Sequence, residues 1–229
     1  MTIMQHYISI FIETIFKSAW WVKISPRVNR CQQWPLTSIN GIQYFGKSHK
    51  HSNMSSRFIN RGAYGDVWSY PQDNRAVKLL EIKESDISTL QSAAREIYVL
   101  IRGGTRLVPF LKAEFKYGSV ELHMQLMETD LSRKMKSSAL TLEESRTFTS
   151  DIANGLHWMH AHGISHRDLK PSNVLIHNKR ATLCDFGLSR PFCDTTRANN
   201  LTDYMVTRWY RAPEILNAKS NGYTEKIDM

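Results

Sequence analysis

The stretch HRDLKPSN, residues 166–173, decides how the rest of the chain is read. It sets a carboxylate, Asp168, an ammonium, Lys170, and a carboxamide, Asn173, at fixed offsets just after a helix-like segment. Asp168 can orient an attacking hydroxyl and accept its proton, and Lys170 adds positive charge beside a transferring phosphoryl group. Asn173 offers a hard oxygen to a divalent cation, and Asp185 in DFG, residues 185–187, offers a second. APE, residues 212–214, closes the series.

Two segments toward the amino terminus suit the same chemistry. RAVK ends in Lys78, flanked by apolar Val77 and Leu79 on a strand-like run, so its ammonium must reach solvent or an anion. Glu96, in REIYVL on the next helix, is a candidate partner. A Lys–Glu pair bridging sheet and helix would hold the ammonium over nucleotide phosphates; the plain alternative is a surface salt bridge. In NRGAYGDV, residues 60–67, Gly62 and Gly65 are places where backbone amides can approach a phosphate without a Cβ in the way. Asn60 stands where a first glycine would complete G-x-G-x-x-G-x-V, and asparagine tolerates the left-handed backbone better than most residues. Two glycines also serve a hairpin with no ligand.

Around these motifs the chain alternates short apolar runs and turns. RFIN, DVWSY and RAVKLL read as strands, with a turn at PQDN; a helix is expected over roughly 88–101, and further strands at LKAEFKYG and VELHMQLM. In TLEESRTFTSDIANGLHWMHAHG, Thr141 can cap a helix that Gly163 ends. The pattern predicts a small sheet-rich lobe followed by a helical one, an α+β architecture.

Composition agrees with a folded chain: 229 residues, 41% hydrophobic, 30 basic against 21 acidic side chains and a net charge of +9. The excess suits anionic partners such as nucleotides, nucleic acid or acidic membrane, and it also serves solubility alone; no specific nucleic-acid partner is expected. Cys31, Cys184 and Cys193 form neither a disulfide framework nor a zinc signature, so a reducing compartment is the default. There is no internal repeat or low-complexity tract.

Residues 1–56 read as an extension. Ile3, Met4, Tyr7, Ile8, Phe11, Ile12, Ile15 and Phe16 recur at helical spacing, predicting an amphipathic helix, and Trp20 and Trp21 follow in SAWWVK. A membrane-surface anchor over residues 1–24, an acid-poor targeting peptide, a helix packed on the domain and an extension without function are all open readings. Gln5, His6, Glu13 and Lys17 stand against a spanning helix, since all would have to enter hydrocarbon. The polar run from Ile24 to Ser56 reads as a linker. Met54 lies just ahead of the first strand and competes with Met1 as the start.

Taken together, residues 57–228 resemble a eukaryotic-type protein kinase. LMETDL, HRDLKPSN, DFGLSR and TRWYRAPEIL are similar to the mitogen-activated protein kinase family, and Thr202-Asp203-Tyr204 falls where that family carries Thr-x-Tyr. The resemblance implies a bilobal fold, with a β-rich lobe and hinge over 57–127 and a helical lobe over 128–229. It implies Ser/Thr kinase activity directed to a following proline, with ATP and Mg2+, a protein substrate and an upstream dual-specificity kinase, in the cytoplasm and also the nucleus.

Residue by residue, the resemblance assigns nucleotide contacts to Asn60, Gly62, Ala63, Gly65, Val67, Ala76, Lys78 and Glu96. Met124 is the gatekeeper and Gln125 to Met127 the adenine hinge. Asp130 contacts ribose, or else caps the helix beginning LSRKMK. Asn173 and Asp185 hold metal; Asp168, Lys170 and Thr207 act in catalysis. Phosphorylated Thr202 would be gripped by Arg95, Arg167 and Arg190, and phosphorylated Tyr204 by Arg208 and Arg211, because guanidinium groups match phosphate in paired hydrogen bonds. Such a grip would order the segment as a switch. Cys184 is either an accessible thiol or a small packing residue. The resemblance also leads to an expectation that the helical lobe is incomplete after Asp228, whose counterpart ties a central helix to the catalytic loop. A kinase-like protein that binds nucleotide or upstream kinases with little turnover is therefore the alternative function.

Overall fold

Alternation of apolar residues in RFIN, DVWSY, RAVKLLE, FLKAEFK and SVELHMQ builds one six-stranded sheet in a computed structural model that describes residues 42–44, 56–62, 65–82, 87–116, 118–191, 208–213 and 225–229. The chain divides into two compact units: Met1–Gly104 with Val108–Leu126, and Thr105–Leu107 with Met127–Met229.

In the first unit the strands are β1 (Ile42–Tyr44), β2 (Arg57–Gly62), β3 (Gly65–Tyr70), β4 (Arg75–Glu81), β5 (Phe110–Lys116) and β6 (Ser119–Gln125), in the order β1-β5-β6-β4-β3-β2. All neighbours are antiparallel except β1, which runs parallel to β5. Three residues of the expected linker are thus a strand. Ile42-Gln-Tyr44 supplies β-prone residues to an otherwise bare edge, a pairing that local pattern alone does not announce.

Register sorts the side chains between two faces, since directly paired residues share a side. One face carries Val67, Lys78, Leu122 and Ala113 in one row, and Ser69, Ala76 and Met124 in the next. Helix α1 (Ile87–Gly103) serves this face, as Glu96 reaches Lys78. Leu80, Leu90, Ala94, Ile97, Leu100, Val120 and Leu122 make up its core. The opposite face carries Phe58, Trp68, Val77, His123 and Lys112 in one row and Asp66, Leu79, Glu121 and Glu114 in another.

That opposite face holds a charge network. Lys112 donates to Glu114, and Lys116 donates to Glu121 at 2.6 Å. Arg75 donates to Nδ1 of His123 at 2.8 Å, so the neutral ring carries its proton on Nε2, which stands 3.4 Å from Glu121 Oε2 and 3.7 Å from Glu114 Oε2. Burial would push the Glu121 carboxyl up, but hydrogen bonds with His123 and Lys116 and the Lys116 charge outweigh it and hold it at about 2. The His123 ring and both carboxylates have the spacing of a cation site. The chemistry opposes one: two ammonium groups already neutralise the carboxylates, and a donor rather than an acceptor backs the imidazole.

In the second unit, helix α2 (Leu131–Ser137) precedes α3 (Leu142–Ala161). Thr141 and Glu144 form a reciprocal capping box at the start of α3, and Gly163, at φ +72°, follows its end. Phe148, Leu156, Trp158 and Met159 are its buried residues, spaced for one face. Gly155 lets α3 approach β10 (Arg180–Leu183): a Cβ there would lie 3.0 Å from Leu183 Cδ1. A small sheet is ordered β10-β9-β7, with β9 Val174–His177 and β7 Thr129–Asp130, and β8 (Ile164–Ser165) pairs with β11 (Arg190–Pro191). Among the described residues no helix is long and apolar enough to cross a membrane; the expected helix over residues 3–16 lies outside them.

Candidate active site

The site residues fall in both units, and each unit builds its own part. In the first, β2 and β3 carry the glycine turn. Asn60 pairs with Val67, which pairs with Lys78, and Ala76 pairs with Met124, so these expected nucleotide contacts share one face of the sheet. Gly62 pairs with Gly65; Ala63 lies outside the described residues. A Cβ on Gly65 would lie 2.1 Å from the Leu79 carbonyl oxygen, so the sheet itself requires a glycine there. Lys78 donates to both oxygens of Glu96, at 3.0 and 2.8 Å, with side chains only 7% and 2% exposed. The pair is buried, not the surface salt bridge of the alternative reading. The N–H groups of Gln125 and Leu126 donate to the carbonyls of Pro109 and Asn74.

In the second unit the chain from Gly163 to Cys184 forms a knot of hydrogen bonds. Asp168 Oδ2 accepts from Lys170 Nζ at 2.8 Å and from Asn173 Nδ2 at 2.9 Å, and the same Nδ2 donates to the Asp168 carbonyl. Three residues that the motif spaces along the chain therefore meet at one carboxylate. With Nδ2 engaged by Asp168, the Asn173 end left to offer is its oxygen, Oδ1; it and the Asp185 carboxylate are the hard oxygen donors that Mg2+ takes, so these residue types fit the metal. Asp185 itself has φ +66°, a left-handed conformation uncommon for a side-chain-bearing residue.

His166 joins the catalytic loop to the DFG segment. The Asp168 N–H donates to His166 Nδ1 at 3.3 Å, which leaves the ring proton on Nε2 to donate to the Cys184 carbonyl at 3.1 Å. The Cys184 N–H donates to the Asn173 carbonyl, and the His166 ring lies 5.3 Å from the buried Phe186 ring. Cys184 is half-buried, between its two expected settings.

Asp228 holds the loop from below its backbone. It accepts from the N–H groups of His166 at 2.8 Å and Arg167 at 2.7 Å, where Arg167 has φ +70°. The third partner is His160, whose Nε2 lies 2.9 Å from Asp228 Oδ2. Sequence reading passed over His160, in the last turn of α3 and one of three histidines in HWMHAHG, residues 157–163. Its only signal is that it stands on the helix leading directly into the loop.

The remaining assignments divide. The Asp130 carboxylate caps α2, accepting the Arg133 N–H at 2.9 Å, as the helix-cap reading expects. Arg190 pairs with Ser165 across β11 and β8, and its Nη1 donates to the Ser189 carbonyl. Arg95, in the first unit, donates to Ser92 Oγ at 2.7 Å. Arg208 opens a short 3-10 turn, Arg208–Tyr210, and Arg211 follows half-buried. Thr202, Tyr204 and Thr207 lie outside the described residues. Met127 is half-buried at the start of the second unit's main segment.

Comparison with known proteins agrees with this geometry. The model of the protein kinase domain matches residues 54–229. Mitogen-activated protein kinase 3 of Arabidopsis thaliana is 36% identical over 187 residues, covering 75% of this chain and 48% of its own length. Mitogen-activated protein kinase mpk-1 of Caenorhabditis elegans is 35% identical over 213 residues, covering 85% of this chain and 47% of its own. The chain spans about half the length of these curated relatives. With a buried Lys–Glu pair in one unit, a three-residue carboxylate centre in the other and a family match running through both, the chain belongs to the eukaryotic protein kinase family and is similar within it to the mitogen-activated protein kinases.

Proposed function

We propose that this chain transfers the γ-phosphoryl group of ATP to serine or threonine hydroxyls of a protein substrate, as a kinase of the mitogen-activated type directed to a following proline. The observation that carries the reading is the convergence of Lys170 and Asn173 on Asp168 Oδ2. Both donors hold one oxygen, which leaves Oδ1 to take the substrate proton. The hydroxyl oxygen then forms the new bond to the γ-phosphorus, the bond to the β–γ bridging oxygen breaks, and ADP leaves. Lys78, steadied by Glu96, would hold the phosphates, with Val67, Ala76 and Met124 around the nucleotide and the Met127 N–H as the hinge donor to adenine. Asn173 and Asp185 would hold Mg2+, which when bound neutralises phosphate charge.

Regulation belongs to the same reading. Phosphorylation of Thr202 by an upstream dual-specificity kinase would recruit Arg95, Arg167 and Arg190, and that of Tyr204 would recruit Arg208 and Arg211. Thr207 would bond Asp168 and Lys170, and Asp130 would divide its carboxylate between the cap and ribose. Residence in the cytoplasm, with access to the nucleus, fits such an enzyme.

The test is phosphorylation of a Ser/Thr-Pro peptide by the full chain after treatment with an upstream dual-specificity kinase. Turnover that disappears in Asp168→Asn is expected. A folded wild-type chain, modified at both Thr202 and Tyr204 and without turnover, rejects the reading; a thermal shift with Mg-ATP under those conditions would instead identify a nucleotide-binding protein.

A further inference from the structure

The glycine turn joins an edge strand to the body of the sheet. β2 stands last in the order β1-β5-β6-β4-β3-β2, so β3 is its one strand neighbour among the described residues. β3 is itself fastened to β4, with Asp66 opposite Leu79 and Val67 opposite Lys78. Between Phe58 and Asn60 the register shifts: β2 passes Ile59 while β3 steps directly from Trp68 to Val67. A bulge of this kind bends its strand and increases the local twist. Between the bulge and the turn come the pairs Asn60 with Val67, Arg61 with Asp66, and Gly62 with Gly65. The glycines bring no side chains, so the end of the hairpin depends on what the other two pairs supply.

Arg61 supplies a two-pronged bond. Its Nε donates to Asp66 Oδ1 at 2.8 Å and its Nη2 to Asp66 Oδ2 at 3.0 Å, a planar pairing that fixes orientation as well as distance. The Arg61 hydrogen bond holds the Asp66 carboxyl below its usual value, so both partners are charged at neutral pH. Register puts the pair in the row of Leu79 and Glu121, on the face away from Val67 and Lys78. The Arg61 side chain is 77% exposed, and a pair in that setting adds little to the stability of a whole fold. Its effect is local, on the last pair before the turn that carries side chains.

We propose that Arg61 and Asp66 are positioning residues for the nucleotide: their bidentate ion pair clasps β2 to β3 beyond the bulge and holds the Gly62–Gly65 turn ready for the phosphates of ATP. This rests on the reading that the turn cradles those phosphates, and it has both side chains act through the turn rather than on the ligand. A turn already held needs less ordering on binding, so the clasp acts on affinity for the phosphate chain. Adenosine, which lacks that chain, is indifferent to it.

The experiment is titration calorimetry of the full chain with Mg-ATP and, separately, with adenosine. Arg61→Ala and Asp66→Ala should each weaken Mg-ATP binding by about two- to fivefold, the range for an exposed pair of good geometry, and leave adenosine binding unchanged. Exchanging the charges, Arg61→Asp with Asp66→Arg, should restore most of the loss. The sign for Asp66→Ala separates the clasp from direct contact. If Arg61 held phosphate itself, removing its carboxylate partner would free the guanidinium and tighten Mg-ATP, so tighter or unchanged binding overturns the proposal. An equal loss for adenosine, or a charge-exchanged protein no better than Arg61→Ala, overturns it too. A parent chain that fails to bind Mg-ATP rejects the kinase reading itself, and the positioning role falls with it. Without any ligand, amide hydrogen exchange in residues 57–62 should be faster in both single variants than in the parent and return toward it in the charge-exchanged protein; equal exchange in all four proteins overturns the clasp while leaving the kinase reading intact.

Discussion

Two lysine–carboxylate pairs, one in each unit, are built on opposite plans. Lys78 donates to both oxygens of Glu96, and the two side chains are 7% and 2% exposed. Lys170 reaches one oxygen of Asp168, which it shares with Asn173, in a half-buried setting where the two side chains are 20% and 9% exposed. The first pair is closed: each charge satisfies the other, away from water, and neither can be removed without stranding its partner. The second is open: two donors hold one carboxylate oxygen, and the other is the one that would take a proton in the proposed reaction. The difference teaches where loss should register. A closed pair fails as structure, an open one as chemistry.

The largest expected effect tests the open pair. Asp168→Asn should lower phosphoryl transfer by ~10²–10⁴-fold, the range for losing a positioned base, while unfolding free energy falls by less than for breaking the closed pair, because the carboxamide keeps an oxygen for the two donors. Peptide phosphorylation and thermal unfolding, measured on one preparation, check both halves. A large fall in stability would erase the contrast.

Next comes the closed pair. Glu96→Gln should destabilise the chain by ~3–5 kcal/mol by leaving the Lys78 charge uncompensated, and Lys78→Met combined with Glu96→Leu should recover most of that while remaining inactive. Denaturant unfolding of the single and double variants decides it. If the single variant is as stable as the parent, the pair is not closed in the sense used here.

Glu121 sharpens the comparison through pH. Its folded-state carboxyl sits at about 2, below the ordinary 4.5, so its contribution is complete above about pH 4.5 and is lost as pH falls from there toward 2. Glu121→Gln should therefore flatten the acid limb of a stability–pH curve measured by thermal unfolding. The smallest effect is local: Thr141→Ala should cost ~1 kcal/mol by removing the side-chain acceptor for the Glu144 N–H, read as a lower midpoint in thermal unfolding.

Legibility follows the range of each interaction. Helix α3 is written in its own residues, with cap, apolar stripe and terminal glycine all within the segment, and it runs as expected. The strands from β2 to β6 are readable for the same reason, since alternation and turns are local signals. The meeting of Asp168, Lys170 and Asn173 is legible because one short loop contains all three. Strand β1 reads as linker because it depends on an edge 71 positions away, Ile42 against Ala113. His160 escaped notice because its partner, Asp228, is 68 positions distant and no spacing rule connects them. Asp130 reads from sequence as a ribose contact or a helix cap, and its bond to the Arg133 N–H supplies the cap.

Gly65 carries a consequence for how lineages of such proteins are judged. With the Leu79 carbonyl 2.1 Å from where a methyl carbon would stand, drift at this codon is barred by strand packing alone. A descendant that had abandoned catalysis would still keep its glycine here, so retention of Gly65 is no witness to enzymatic competence. Divergence at Asp168 or Asn173, where no such steric bar operates, is the informative record.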